Sequence, residues 1–202
     1  MGEGVPTLAE RASGGAVVRP LGPRHWRLAL PPGRQGHYRL AQLDDYLTLA
    51  RRDFPWRPPL RLTLWARASA ADLPGTWGFG FWNDPFGGRL GLGSRRALPT
   101  LPNAAWFFHA SAPNHLTLRD DLPAQGFLAA SFSSPKLPSV TMLGALPLLP
   151  LALWRRSAGL LRRAARVAVA EDAASLAVDP TAWHEYALEW RERAMQFFVD
   201  GR

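Results

Sequence analysis

The side chains in this sequence that could act as an acid or a base are few and lie far apart. His109 is the one titratable residue within an aromatic run, and Asp84 stands in the turn-like sequence Asn-Asp-Pro. Either could exchange a proton near neutral pH if its surroundings shifted its pKa. A core histidine and an ordinary turn are the structural alternatives for these two residues. Asp84 and His109 are therefore the catalytic candidates, and the catalytic residues are otherwise unknown.

The sequence favours neither a metal site nor a bound cofactor. It contains no Cys, which excludes disulfides, thiolate metal sites and Cys nucleophiles. Its five histidines show no metal-ligand spacing, and it has no Gly-rich phosphate-binding loop. We accordingly expect no metal and no cofactor.

Aromatic side chains are concentrated in two runs that could line a ligand-binding cleft. Residues 76–83 (TWGFGFWN) and 104–110 (AAWFFHA) would each place aromatic rings on both faces of a strand. Some rings should form core, and the others should line a concave side, as stacking platforms for sugars or as an apolar trough for a lipid or isoprenoid. The predicted ligand-binding residues are Trp77, Phe79, Trp82, Asn83, Trp106 and Phe108.

Positive charge is concentrated in one segment. The formal net charge is +8, and residues 153–169 hold five arginines and no acid, so removing those five leaves +3. On a helical wheel the arginines share one face, which is typical of a basic amphipathic helix that lies in a membrane interface. The alternative is a helix packed on the protein with its arginines in water. The predicted membrane-contact residues are Trp154, Arg155, Arg156, Arg162, Arg163 and Arg166.

The preceding residues, 137–154, form an uncharged run of 18 residues, about the length of a short membrane span. Three prolines interrupt the run, so we do not expect a continuous spanning helix. An anionic membrane surface is the expected acidic partner. A nucleic acid is not, because the basic residues are not interleaved with aromatics across one face. Residues 1–19 lack the apolar run of a secretory signal, which predicts a cytoplasmic protein with peripheral membrane contact as an option.

The remaining sequence is dominated by alternation of apolar and polar residues, the period of half-buried strands. Turn sequences rich in Pro, Gly, Asn and Asp separate the runs, and Gly and Pro approach a fifth of the chain. This pattern predicts an all-β, antiparallel two-sheet sandwich or barrel. The predicted strands are residues 25–30, 38–43, 60–68, 76–82, 104–110, 115–119, 126–132, 183–190 and 195–200, the last two forming a hairpin.

The predicted hairpin carries a resemblance to a known family. Residues 183–190 (WHEYALEW) and 195–201 (MQFFVDG) resemble the "W-H-x-Y-x-x-x-W … x-F-Y-V-D-G" hairpin of the concanavalin A-like lectin/glucanase superfamily, especially laminarinase- and licheninase-like glycoside hydrolases. Residues 76–83 are similar to the strand under the sugar cleft of those proteins. The resemblance covers residues 15–135 and 173–202. It implies a jelly roll of two curved antiparallel sheets with a cleft across the concave one.

The carboxylates of the hydrolases are absent from the matching strand. Those enzymes carry E-x-D-x-x-E or E-x-D-x-E after the Trp-rich strand, whereas residues 103–111 contain no acid. Retaining glycosidases need two carboxyl groups about 5–5.5 Å apart. Glu185 and Glu189 stand four apart on a strand, and the adjacent Asp120 and Asp121 would point to opposite faces. The sequence does not support the usual glycosidase mechanism.

Three functions stay open. The first is a non-catalytic or divergent lectin/glucanase-fold protein that binds a glycan or glycolipid in an aromatic-lined concave cleft, with membrane contact as an option. The second is a protein or enzyme acting on a hydrophobic ligand, and the third is a divergent glycoside hydrolase. The predicted organisation is a single sandwich domain over residues 1–202 with an insert at 136–172, partly a basic amphipathic helix. Because the hairpin turn of the family stands at residues 200–202, a further C-terminal strand is expected.

Overall fold

The computed structural model describes residues 7–34, 36–46, 49–84, 100–112, 114, 117–119, 121–122, 125–135 and 166–202. The described part of the chain is all-β, as the sequence predicts, with eleven strands arranged in four antiparallel sheets. The chain divides into two compact units, residues 1–55 and residues 56–202. The predictions of a single domain and of a further C-terminal strand stay predictions.

The first unit contains two pairs of strands. Its strands are β1 (Ala9–Ser13), β2 (Val17–Gly22), β3 (His25–Ala29) and β4 (Leu40–Asp44), and a short 3-10 turn follows at Arg51–Asp53. β1 pairs with β4, and β2 forms a hairpin with β3. Tyr46 is buried, its ring centroid lies 4.8 Å from that of Phe54, and its amide donates to Asp44 Oδ1 at 2.8 Å. The turn after β4 is thus fixed by one carboxylate and one aromatic contact.

The second unit contains the two larger sheets. Its strands are β5 (Leu60–Ala66), β6 (Thr76–Trp82), β7 (Ala104–Ala110), β8 (Gly126–Ser133), β9 (Ala170–Ser175), β10 (His184–Trp190) and β11 (Met195–Val199). A three-stranded sheet has the order β11-β10-β5, and a four-stranded sheet has the order β6-β7-β8-β9. All neighbouring strands are antiparallel.

Aromatic rings from the two sheets pack against each other. The ring of Tyr186 on β10 lies 4.9 Å from Phe79, 5.1 Å from Phe107 and 5.6 Å from Phe127, all on the four-stranded sheet. Phe197 on β11 meets Phe107 edge-on at 5.1 Å. These contacts give the second unit a β-sandwich-like core. We call the face of the four-stranded sheet that looks into this core its inner face, and the opposite face its outer face.

The strand predictions hold for most of the described chain. β3, β4, β5, β6, β7, β8 and the hairpin of β10 and β11 fall where alternation predicts strands. The strand predicted at 115–119 is wrong over residues 117–119, which belong to no strand and where the Leu118 amide bonds to the side chain of Glu171; residues 115 and 116 lie outside the described residues.

Three strands were not predicted. β1 (AERAS) and β9 (AEDAAS) contain no β-branched or aromatic residue, and β2 (VVRPLG) follows its two valines with Pro20 and Gly22, which are rare in strands. β9 nevertheless pairs with β8 over six residues. Its pairing partner, and not its own propensity, determines its conformation.

The predicted insert falls largely outside the described residues. Residues 136–165 are not described, residues 166–168 are helical, and residues 170–172, assigned by prediction to the insert, form the first half of β9. Among the residues that are described, none belongs to a helix with the length and hydrophobicity needed to span a bilayer.

Candidate functional site

The alternation of β6 and β7 divides the predicted ligand-binding residues between two faces. Trp77 and Phe79 point to the inner face and pack in the core between the sheets. The Trp77 ring stacks on Phe127 at 5.1 Å, and the Phe79 ring lies 4.9 Å from Tyr186. These two side chains are core residues of the sandwich and are separated from the others by the sheet itself.

His109 also belongs to the inner face. It is 5% exposed, and its ring stacks on Trp77 with centroids 5.7 Å apart and an interplanar angle of 18°. Burial lowers its pKa, against the opposing influences of the Ala71 backbone and the Asp72 charge, so the neutral imidazole is favoured. Its Nδ1 is buried without a hydrogen-bond partner among the described residues. The structure therefore places this catalytic candidate on the face opposite Trp106 and Phe108.

The outer face carries the remaining aromatic candidates. Trp82 stacks on Trp106 with centroids 6.0 Å apart and an interplanar angle of 23°, and Trp106 lies 5.0 Å from Phe108. Phe108 is fully buried, whereas Trp82 and Trp106 are half-buried. The indole Nε1 of Trp106 has no hydrogen-bond partner within the described chain. These three rings form a continuous aromatic row, which we call the outer aromatic row.

Two glycines of β6 lie beside this row. Gly78 and Gly80 pair in register with Phe108 and Trp106. A Cβ at either position would come within 2.2 Å of a β7 carbonyl oxygen, so a larger residue would push the strands apart. β6 therefore presents bare backbone next to the outer aromatic row, between Thr76 and Trp82.

Asn83 fixes the end of β6. Its Nδ2 donates to the Leu101 carbonyl at 2.9 Å, and its Oδ1 accepts from the Asn103 amide at 3.0 Å. Both polar atoms of the Asn83 side chain, a predicted ligand-binding group, are thus hydrogen-bonded to the backbone. Asp84 follows with only 4% of its surface exposed and a positive φ of 47°, a left-handed conformation that Asp tolerates better than most residues.

A cleft of about 440 Å³ opens at the β9 side of the outer face. It is lined by Leu118, Arg119, Asp121, Arg166, Val169, Ala170 and Glu171. Leu118 and Val169 also belong to the apolar cluster of the outer face, so the cleft adjoins the surface on which Phe108 packs. Apolar and charged groups therefore line one concave site.

Two charged groups of the cleft bind the backbone of Leu118 from either side of its Cα. Glu171 Oε2 accepts from the Leu118 amide at 2.6 Å, and Arg166 Nε donates to the Leu118 carbonyl. Burial raises the pKa of Glu171, although the Leu118 amide bond opposes the shift. The Arg119 guanidinium contacts both oxygens of Asp121 and lowers its pKa to about 2. Of the two carboxyl groups in this cleft, Asp121 therefore ionises at a lower pH than Glu171.

Sequence reasoning missed Glu171, Arg119 and Asp121 as cleft residues. Glu171 stands at a partly buried position of β9 on the outer face of the sheet, and a carboxylate at such an alternating position is a signal that the sequence could have shown. Arg166 was predicted to touch a membrane, and it lines this cleft. Trp154, Arg155, Arg156, Arg162 and Arg163 lie outside the described residues, so their membrane contact stays a prediction.

Comparison of the chain with protein-family models, with curated proteins and with solved structures gave no match. The resemblance to the concanavalin A-like superfamily therefore rests on the motifs quoted above. The site must be interpreted from its own geometry.

Proposed function

We propose that this protein binds a glycan, free or as the headgroup of a glycolipid, on the outer face of its four-stranded sheet. The proposed architecture is a concanavalin A-like jelly roll with a partly helical insert. The observation that carries the proposal is the stacked Trp82–Trp106 pair beside the bare backbone of Gly78 and Gly80. Sugar rings present apolar CH faces that stack on aromatic rings, and Gly78 and Gly80 let β7 approach β6 closely, which brings Trp106 beside Trp82.

The adjoining cleft supports the same ligand class. Arg119, Asp121, Arg166 and Glu171 combine donors and acceptors with both signs of charge, the mixture that suits hydroxyl groups. The apolar residues Leu118 and Val169 line the cleft and also belong to the cluster that contains Phe108. A short oligosaccharide could therefore stack at the row and hydrogen-bond in the cleft.

A second candidate function is binding of a hydrophobic ligand. It is favoured by the composition of the outer cluster, in which Phe108, Ala110, Leu128, Ala130 and Phe132 are all apolar and buried. A lipid or isoprenoid chain could occupy this face if the segments over it moved apart. Peripheral contact with an anionic membrane would bring such a ligand to the protein.

Tryptophan fluorescence and isothermal titration of the full chain distinguish the two functions. The probes are β-1,3- and β-1,4-linked glucose hexamers, cis-parinaric acid, and vesicles with and without phosphatidylserine. Glycan binding predicts saturation by at least one hexamer and no response to cis-parinaric acid. The opposite pattern would replace the first proposal by the second, and release of shorter sugars from a hexamer would identify a hydrolase.

The Trp106→Ala variant tests the site itself. Loss of the stacking platform should weaken hexamer binding at least tenfold, which corresponds to about 1.4 kcal/mol. Trp106→Phe keeps an aromatic face and should retain part of the affinity. Unchanged affinity in Trp106→Ala, with the fold intact by circular dichroism, would remove the outer aromatic row from the binding site.

A further inference from the structure

The most exposed tryptophans of the described chain are on the other sheet. Trp65 on β5 has 61% of its surface exposed, and Trp183, just before β10, has 46%. Trp82 and Trp106, by contrast, are half-buried. An indole whose apolar surface is exposed to water in the free protein is a candidate contact for a ligand.

Strand register places these tryptophans on one surface. Trp65 pairs with Glu185, and Ala66 pairs with His184, so Arg67 and Trp183 come next along the two strands. Because side chains alternate, Trp65, Arg67, Trp183 and Glu185 all point away from the sandwich core. The Arg67 guanidinium lies 5.1 Å from the centroid of the Trp183 ring. We call these four residues the Trp65 surface.

The charges of the Trp65 surface indicate what it could take. Arg67 and Glu185 carry opposite charges, and the adjacent Asp200, which accepts from the Glu185 amide, is paired with His184. The next acid along β10, Glu189, is neutralised by Arg61 and Arg191, each 2.9 Å away. An anionic ligand would meet Glu185 and a cationic one would meet Arg67, whereas hydroxyl groups could bond to both.

We propose that the Trp65 surface is a second carbohydrate-binding site, which takes a neutral oligosaccharide. One sugar ring stacks on the indole of Trp65, and Arg67 and Glu185 hydrogen-bond the hydroxyl groups at its edge. Trp183 is held by the Arg67 guanidinium and extends the apolar part of the surface. The Trp65 surface and the proposed outer-face site would bind the same class of ligand, but the two sites share no residue.

The experiment is isothermal titration of the β-1,3- and β-1,4-linked glucose hexamers into four proteins. These are the wild type, Trp65→Ala, Trp106→Ala and the matched control Thr63→Ala, which lies two residues from Trp65 on the same face of β5. We expect Trp65→Ala to weaken binding at least tenfold or to remove one of two sites from the stoichiometry. Thr63→Ala should bind within twofold of the wild type. Trp65 is exposed, so its replacement should leave the thermal unfolding midpoint nearly unchanged.

Each other outcome contradicts a defined part of the proposal. If Trp65→Ala binds as the wild type does while Trp106→Ala loses binding, the second site is wrong and the outer-face site stands. If Trp65→Ala loses binding while Trp106→Ala binds as the wild type does, the Trp65 surface stands and the outer-face site is wrong. If no hexamer binds the wild type, both are wrong. If light scattering shows a wild-type dimer that Trp65→Ala converts to a monomer, the surface is a self-association interface instead.

Discussion

The two faces of the four-stranded sheet are apolar in similar degree, but they are covered in different ways. On the inner face, Phe107 and Phe127 pack against rings of a second sheet, including Tyr186 and Phe197. On the outer face, the described residues that pack over the cluster come from connecting segments, namely Leu101, Leu118, Leu122 and Ala168. The two faces are therefore similarly apolar, but a second sheet covers the inner face and connecting segments cover the outer one.

This difference indicates which face can change to admit a ligand. The inner face is covered by the three-stranded sheet. Because a ladder of backbone hydrogen bonds holds that sheet together, it can move away only as a whole. Connecting segments are held by a few bonds each, as the backbone N–H and C=O of Leu118 are held by Glu171 and Arg166. Regions of this kind open at lower free-energy cost than paired strands do. The proposed outer-face site thus lies on the face that opens more easily, and stability should depend mainly on the inner face.

The strongest test of this comparison uses two adjacent phenylalanines. Phe107 and Phe108 are 1% and 0% exposed but point to the inner and outer faces. Phe107→Ala should lower the free energy of unfolding by about 4 kcal/mol, because two sheets enclose the cavity and cannot collapse into it. Phe108→Ala should cost less, about 3 kcal/mol, because the covering segments can relax. Urea denaturation of both variants measures the difference, and an equal or reversed order would contradict the comparison.

The second test loosens the cover of the outer face. Asn83→Ala removes the bonds to the Leu101 carbonyl and the Asn103 amide and should cost about 2 kcal/mol, because both backbone groups lose their partner in a half-buried place. Asn83→Asp keeps the acceptor and should recover part of the loss. Amide hydrogen exchange should accelerate around residues 100–103 and not on β10. Faster exchange on β10 would show that the inner core depends on this end of the sheet.

The third test concerns the inner core alone. The hydroxyl of Tyr186 is buried without a hydrogen-bond partner among the described residues, and burial raises the pKa of this tyrosine to about 12. Tyr186→Phe removes an unsatisfied polar group and keeps the ring contacts, so it should stabilise the protein by about 0.5–1 kcal/mol. Thermal and urea unfolding give the sign. A loss of stability above about 1 kcal/mol would mean that the hydroxyl has a partner in solution.

The smallest expected effect is a dependence on pH at the edge of the three-stranded sheet. His184 Nδ1 lies 2.7 Å from Asp200 Oδ2, and this contact raises the pKa of His184 above 6.5 and lowers the pKa of Asp200 below 3.8. The stabilisation from His184 is present below pH 6.5 and is lost as the pH rises through the raised value. That from Asp200 is present above pH 3.8 and is lost as the pH falls through the lowered value.

The ion pair should therefore stabilise the protein most between about pH 4 and 6.5. The unfolding midpoint of the wild type should exceed that of His184→Gln most in this interval, and the two curves should converge at both ends. The raised pKa of Glu171 acts in both proteins and cancels in their difference. A difference that does not vary with pH would show that His184 contributes through packing alone.

Much of the fold could be predicted from the sequence because alternation is a local property. β5 reads LRLTLWA, and its exposure alternates residue by residue as the letters do. The hairpin of β10 and β11 was likewise predicted from a short link between two alternating runs. β9 could not be predicted in this way, because its sequence AEDAAS becomes a strand through its pairing with β8.

The candidate site could be predicted only in part. The sequence located the aromatic residues of β6 and β7 and placed rings on both faces of these strands, which the structure confirms. It could not say which face meets a second sheet, so Trp77 and Phe79 were grouped with Trp82 and Trp106. It also could not bring Glu171 to Leu118, 53 positions away in the chain.

The amino-acid sequence by itself thus determined the all-β class and the aromatic character of β6 and β7, because strand alternation and turn composition act over a few residues. Tertiary structure alone decided which rings of β6 and β7 are core and which lie over the outer face. The physical reason is that burial depends on what packs against a face. That covering element, whether a second sheet or a connecting segment, comes from distant parts of the chain.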